Sequence, residues 1–234
     1  MSDANTRLVE LRAAASSLRR RRRPVWLGSL RATTPFRSNW GYDRGRPVDR
    51  WYIERFLAAH CADITGRVLE VKDSAYTDRY GHDVTERAVL DVDPANASAT
   101  HVADLADGAG LPSAAFDCLL LTQTLQYVFD VPAALRTAQR ILRPGGVLLA
   151  TAPVVSRVTD PPLTDYWRLT PPAGQRLLDE AFGPGAASSR GHGNVLAQVA
   201  FLEGLAAQDL TAAQLAVDDD AHPLVVCMRA VRAP

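Results

Sequence analysis

From Gly66 onward, short continuous apolar runs alternate with helix-like stretches, and this alternation constrains the fold more than any other feature of the chain. The runs are Val68–Val71, Ala88–Val92, Phe116–Leu121 and Gly146–Ala150. A strand apolar at every position, rather than at every second one, has both faces covered, which is the condition of a parallel sheet between layers of helices. The intervening segments read as helices. Asp130 is placed to cap one over Val131–Leu142, with Pro132 in its first turn, and "RPGG", Arg143 to Gly146, ends it and starts the next strand.

The rest of the chain frames this unit. Residues 3–22 look helical, with Leu8, Leu11 and Leu18 on one loose face. Residues 24–47 are rich in proline and glycine but also carry Trp26, Trp40 and Tyr42, too many large aromatics for a free linker. They read as an ordered segment that packs on the domain and either closes over its ligand cleft or supports a homodimer. Residues 48–63 form an amphipathic helix through Trp51, Ile53, Phe56 and Leu57. Beyond Pro172 come a helix to Ala181, a weaker strand near Ala186–Ser189, a helix over Asn194–Ala207 and a last apolar run, Leu224–Val231, expected to be an antiparallel strand. The expected division is an extension over 1–47 and one α/β domain over 48–234, a length suited to a single core.

Bulk properties exclude several function classes. Lysines and arginines balance acids, 26 against 26, so no global field draws the protein to nucleic acid or an anionic membrane. The run Arg19–Arg23 reads as a solvated arm. Three scattered cysteines without a CxxC pair suit a reducing cytoplasm and supply no metal site. No apolar run is long enough to span a bilayer, and the polar, arginine-rich start is not a secretory signal. Three consecutive acids, Asp218 to Asp220, cannot converge on one ion and read as a solvated turn.

The chemistry is carried by strand ends. One strand runs into an acid at Glu70, a second into "LDVDP" with Asp91 and Asp93, and a short third run gives "VADLAD" with Asp104 and Leu105. "FDCLLLTQTLQYV" and "ILRPGGVLLATAP" follow. An acid at the end of the second strand can accept hydrogen bonds from ribose hydroxyls, in a cleft at the carboxyl ends of the strands.

These stretches resemble the class I S-adenosylmethionine-dependent methyltransferases of the small-molecule type, well over residues 50–155 and loosely beyond. "DYWRLTP", Asp165 to Pro171, looks like a segment of methyltransferases acting on sugars or natural products. "SNWGYDRGRPVDRWYIERFL" and "GHGNVLAQVAFLEGLAA" are similar to a subgroup encoded near glycosyltransferases. The resemblance implies a Rossmann-like, mostly parallel seven-stranded sheet with helices on both faces, an antiparallel last strand and S-adenosyl-L-methionine as cofactor. It carries Glu70, Val71 and Lys72 onto the first strand end, Asp93 in preference to Asp91 onto the ribose, and Asp104 with Leu105 onto the adenine. Thr122 and Gln123 fall beside the methionine part. Trp40, Tyr42, Tyr127 and Trp167 are candidate substrate contacts, and His192 and Tyr166 candidate catalytic groups, with His192 equally suited to cap a helix.

The chain departs from the pattern in two places. Where the family has glycines two, four and six residues after the acid, this chain has Lys72, Ser74 and Tyr76. Glycine there allows positive φ and close approach of backbone to ligand. Lys72 either points to solvent in a longer turn that closes at Gly81, or lies near the cofactor, where it would repel the sulfonium or attract the amino-acid carboxylate. Where many relatives have a histidine, the chain has Gln126, which cannot serve as a base near neutral pH. The expected activity is methyl transfer to a small hydroxyl- or amine-bearing acceptor. The alternatives are a cyclisation or rearrangement on the same scaffold, or a non-catalytic partner of a glycosyltransferase.

Overall fold

The structure, a computed structural model, describes residues 31–161 and 163–234; the expected helix over 3–22 and the Arg19–Arg23 run lie outside them. The chain divides into two compact units, and the second begins at Phe36, ahead of the boundary drawn at 48. Within this unit helix α1 (Val48–Ala59) precedes strand β1 (Gly66–Val71). Next come the short helix α2 (Ala75–Tyr80), β2 (Val84–Asp91), the two-residue β3 (His101–Val102) and β4 (Phe116–Thr122). Helix α3 (Val131–Ile141) leads directly into β5 (Leu142–Pro153), followed by α4 (Pro171–Phe182), β6 (Ala187–His192), α5 (Val195–Leu202), α6 (Ala212–Leu215) and β7 (Val225–Val231).

The seven strands form one sheet in the order β3-β2-β1-β4-β5-β7-β6. The first five are parallel, and β7 runs antiparallel to both β5 and β6. Strand order reverses between β1 and β4, and such switch points open a cleft at the carboxyl ends of the strands. Alternate residues supply the two cores. Leu69, Leu119 and Leu121 face α3 and α4, while Val68, Cys118 and Leu120 face α1 and α5. All six are fully buried, which explains the continuous apolar runs.

Helix ends follow local chemistry. Asp130 accepts the Ala133 amide at 2.9 Å as the cap of α3. Asn194, not His192, caps α5 through the Ala197 amide at 3.0 Å. Helix α5 stops well short of Ala207 because Gly204 takes φ +71° and the Leu205 amide closes back on the Ala200 carbonyl at 2.8 Å. Residues 36–47 pack on the segment after α5: the Arg37 amide bonds the Glu203 carbonyl at 2.9 Å, and Arg44 pairs with Asp209 at 2.7 Å.

Candidate active site

The turn after β1 is built differently from the glycine loop that the resemblance implies. Lys72 adopts φ +78°, the left-handed conformation that favours glycine, so the backbone takes a glycine's path with a lysine in it. Its amide continues the sheet onto the Leu90 carbonyl at 2.9 Å, and its side chain is exposed. Helix α2 then begins at once. Its leading amides find carboxylates: Ala75 donates to Asp73 at 2.9 Å, Tyr76 to Glu70 at 3.1 Å and Thr77 to Glu70 at 2.8 Å. The Thr77 hydroxyl adds a bond to Glu70 Oε2 at 2.7 Å.

Glu70 is therefore a cap and not an open cofactor contact. It is only 2% exposed and both oxygens are turned to the loop. Burial pushes its carboxyl above the ordinary value against the pull of the Thr77 and Tyr76 donors. Tyr76 leaves the cleft: its ring stacks on Tyr80 with centroids 6.2 Å apart, and its hydroxyl accepts from Arg50 at 3.3 Å. The longer turn closing at Gly81 is thus a one-and-a-half-turn helix, and the side chain at the third glycine position packs under α1.

Asp91, not Asp93, ends β2. Asp93 lies in the following turn and is occupied by the Ala95 amide at 2.8 Å. Asp91 is half-buried and accepts from the Asp93 amide at 3.0 Å and from Asn96 Nδ2 at 2.6 Å. Asn96 Nδ2 also reaches the Lys72 carbonyl at 2.7 Å, so this residue ties the turn after β1 to the acid of β2. Sequence reasoning passed over Asn96, because nothing marks an asparagine in a polar loop as a bridge. Val71 is half-buried, and the Leu105 side chain belongs to the core, which leaves only its backbone for a ligand. Asp104 is exposed and accepts the Ala106 amide at 2.8 Å.

On the other side of the cleft, Thr122 ends β4 and Gln123 turns out of the sheet at φ +50°. The Gln123 amide bonds the Thr151 carbonyl at 2.9 Å, while its buried Nε2 has no hydrogen-bond partner among the described residues. Gln126 is 4% exposed and acts as a brace: Nε2 donates to the Gln123 carbonyl at 2.9 Å, and its own carbonyl accepts the Tyr166 amide at 2.8 Å. That last bond draws the loop between β5 and α4 across the exits of β4 and β5. Tyr127 bonds Thr159 at 2.9 Å, and Trp167 Nε1 donates to the Val128 carbonyl at 3.0 Å. The result is an exposed aromatic group in which Phe129 lies 5.2 Å from Tyr166 and 6.0 Å from Trp167.

The remaining candidates are spread out. Trp40 Nε1 reaches Ser156 at 3.3 Å and its ring carries the Arg157 guanidinium at 4.2 Å, beside the end of β5. Tyr42 is exposed and accepts from Arg50 at 3.4 Å. His192 stands at the end of β6 with Nδ1 2.9 Å from Asp218, and no hydrogen bond joins it to Tyr166 among the described residues. Asp219 turns to His222 at 2.9 Å, so the three consecutive acids diverge. Arg50, unremarked in the sequence, is held beside the β1–α2 turn by two phenols, and the neighbouring Asp49 charge raises its pKa against burial.

Residues 57–150 match a family model described as a methyltransferase domain. Solved structures share the fold at low identity. An S-adenosylmethionine-dependent methyltransferase from Mesorhizobium loti is 17% identical, with a TM-score of 0.52 over 79% of this chain and 100% of that one. The 4+2 cyclase SpnF is 16% identical, with a TM-score of 0.51 over 86% and 87%. A phosphoethanolamine N-methyltransferase 2 from Haemonchus contortus, solved with phosphomonomethylethanolamine and S-adenosylhomocysteine, is 12% identical, with a TM-score of 0.53 over 79% and 53%. No curated protein matches the sequence. No helix among the described residues is long and apolar enough to cross a membrane.

Proposed function

We propose that the chain, whose residues 57–150 match a methyltransferase-domain model and whose fold is shared with S-adenosylmethionine-dependent methyltransferases, transfers a methyl group from S-adenosylmethionine to a small hydroxyl- or amine-bearing acceptor, a sugar or natural-product intermediate. The observation that carries this reading is the left-handed Lys72. It keeps the turn after β1 on a glycine's path although the glycines are gone, the backbone course a cofactor at the β1–β4 switch point needs.

The residues that line the cleft suit the cofactor's parts. Asp91 is placed for the ribose hydroxyls, which would compete with Asn96 for Oδ2. The unpartnered Gln123 Nε2 is a donor awaiting an acceptor at the methionine end. Exposed Lys72 adds positive charge at the turn after β1, where a ligand carboxylate would be attracted. When bound, the sulfonium supplies an activated methyl group for in-line displacement. The chain's own task is then to hold the acceptor in line and exclude water. Phe129, Tyr166 and Trp167 offer it an aromatic wall at the exits of β4 and β5. Three free thiols, two of them buried, suit a reducing cytoplasm.

A second reading, a cyclisation or rearrangement on the same scaffold, is favoured by one observation: Gln126 stands as a buried brace where a base would serve.

Titration calorimetry with S-adenosylhomocysteine tests the cofactor. Saturable micromolar binding is expected, weakened about tenfold or more in Asp91→Ala and little changed in Asp93→Ala. Absence of heat at about millimolar ligand would refute the proposal. Given binding, label transfer from methyl-labelled S-adenosylmethionine to sugar, phenol and amine acceptors separates methylation from the second reading.

A further inference from the structure

On the opposite half of the sheet, α1 and the β6–β7 edge enclose a cavity of about 440 Å³, within the range of small-molecule sites. Ser188, Arg190 and His192 alternate along one face of β6 and line it, with Cys227 of β7 behind them. Tyr52 closes it from α1. That residue is 3% exposed, yet its hydroxyl has no hydrogen-bond partner among the described residues. Burial, then the charge of Asp218, hold the phenol up to about 12, so it remains a neutral donor, on the side of the cavity where Asp218 lies.

A buried hydroxyl without a partner costs stability unless something fills the need. The other groups say what. Trp51 and Phe56 give flat apolar walls. Arg55 lies over the Trp51 ring at 4.5 Å and Arg190 lines the cavity from β6; both are exposed. Neither has a carboxylate within 4.0 Å among the described residues. The acid that lines the cavity, Asp218, is already engaged by His192 Nδ1 at 2.9 Å and by the Gly193 amide at 2.8 Å. The exposed lining is therefore cationic and the buried Tyr52 hydroxyl a hydrogen-bond donor.

We propose that this cavity binds a small ring-bearing anion. Its flat body lies against Trp51 and Phe56, a deep oxygen accepts from Tyr52, and a carboxylate or phosphate meets Arg55 and Arg190. The site is separate from the cofactor cleft: β7 and β6 stand two and three places from β4, the nearer strand of that cleft, about 10 to 14 Å away at the usual strand spacing. It does not rest on the methyltransferase reading, and a failure to bind S-adenosylhomocysteine would leave it standing.

Two probes distinguish the anion: 4-hydroxybenzoate and 4-nitrophenyl phosphate, titrated into the full chain by calorimetry. At least one should bind once per chain with a Kd below about 1 mM. Tyr52→Phe should weaken it about five- to tenfold without lowering Tm, because the lost hydroxyl had no partner in the free protein. Arg190→Gln should weaken it similarly and flatten its salt dependence. Saturating S-adenosylhomocysteine should leave the affinity unchanged. The proposal is overturned if neither probe binds at about 10 mM, if Tyr52→Phe binds as well as the parent, if that variant loses Tm, or if S-adenosylhomocysteine competes.

Discussion

Thr77→Val asks whether Glu70 holds the turn after β1. Valine keeps the shape of threonine and removes only the hydroxyl, which donates to Glu70 Oε2 at 2.7 Å between residues 1% and 2% exposed. A hydrogen bond to a charged group contributes about 1.5–3 kcal/mol, and here water cannot replace it. The two amide bonds from Tyr76 and Thr77 remain, so the expected loss is about 2 kcal/mol, or roughly 4–8 °C in Tm for a unit of this size. The loss should depend on pH. Burial already raises the Glu70 carboxyl, so its ionised form is the one that needs donors. A raised folded pKa means that ionisation of Glu70 weakens the fold as pH climbs through that value. Removing a donor enlarges this penalty, so the variant's deficit should be greatest near neutrality and shrink in acid. Urea unfolding at several pH values reads both quantities. A Thr77→Val deficit below about 0.5 kcal/mol at neutral pH, or one that grows toward acid, would refute the cap.

Lys72→Gly removes a side chain from a left-handed residue that costs a lysine about 1 kcal/mol, partly offset by the greater freedom of glycine in the unfolded chain; thermal melts should show no loss and up to a few degrees of gain. Asp63 receives two bonds from Arg229 at 2.8 Å each, and these hold its carboxyl below the usual range. The stability they confer is fully present above the unfolded value and is lost as pH falls through the lower folded one. Asp63→Asn should therefore cost about 1 kcal/mol near pH 7 by urea unfolding and nothing measurable once the parent is protonated. Leu120→Ala, in the middle of β4 with its side chain fully buried, should cost about 2–5 kcal/mol by the same assay.

The scaffold was legible because its signals are redundant. Leu119, Leu120 and Leu121 are buried on both faces, and no other arrangement hides three successive leucines in a strand so economically. Asp130 before Val131-Pro132 was read from equally local chemistry, whereas the antiparallel sense of the last run came from the fold pattern the chain resembles. The extent of α5 was not, since Gly204, seven residues after the cap partner Ala197, could as well have lain inside a longer helix. Its role as a stop depends on the closing bond from Leu205 to Ala200.

The candidate site was legible as a location and not as a set of contacts. Motif spacing placed acids near strand ends, but which acid ends β2 is a matter of register. Leu90 pairs with His101 and Asp91 with Val102, and there the ladder stops, one turn before Asp93. The turn after β1 shows the same limit in sharper form. A glycine pattern stands for two separate needs, a left-handed backbone and empty space beside it. Lys72 meets the first by adopting the conformation at some cost, and Tyr76 meets the second by stacking on Tyr80 beneath α1. Neither solution can be seen in the residue types, because both depend on Glu70 fixing where α2 begins. Once that carboxylate gathers the amides of Tyr76 and Thr77, the tyrosine side chain follows the helix away from the cleft and the lysine alone remains at its rim. The missing glycines are therefore matched by a turn rebuilt around Glu70, whose carboxylate gathers the Tyr76 and Thr77 amides and supports the loop.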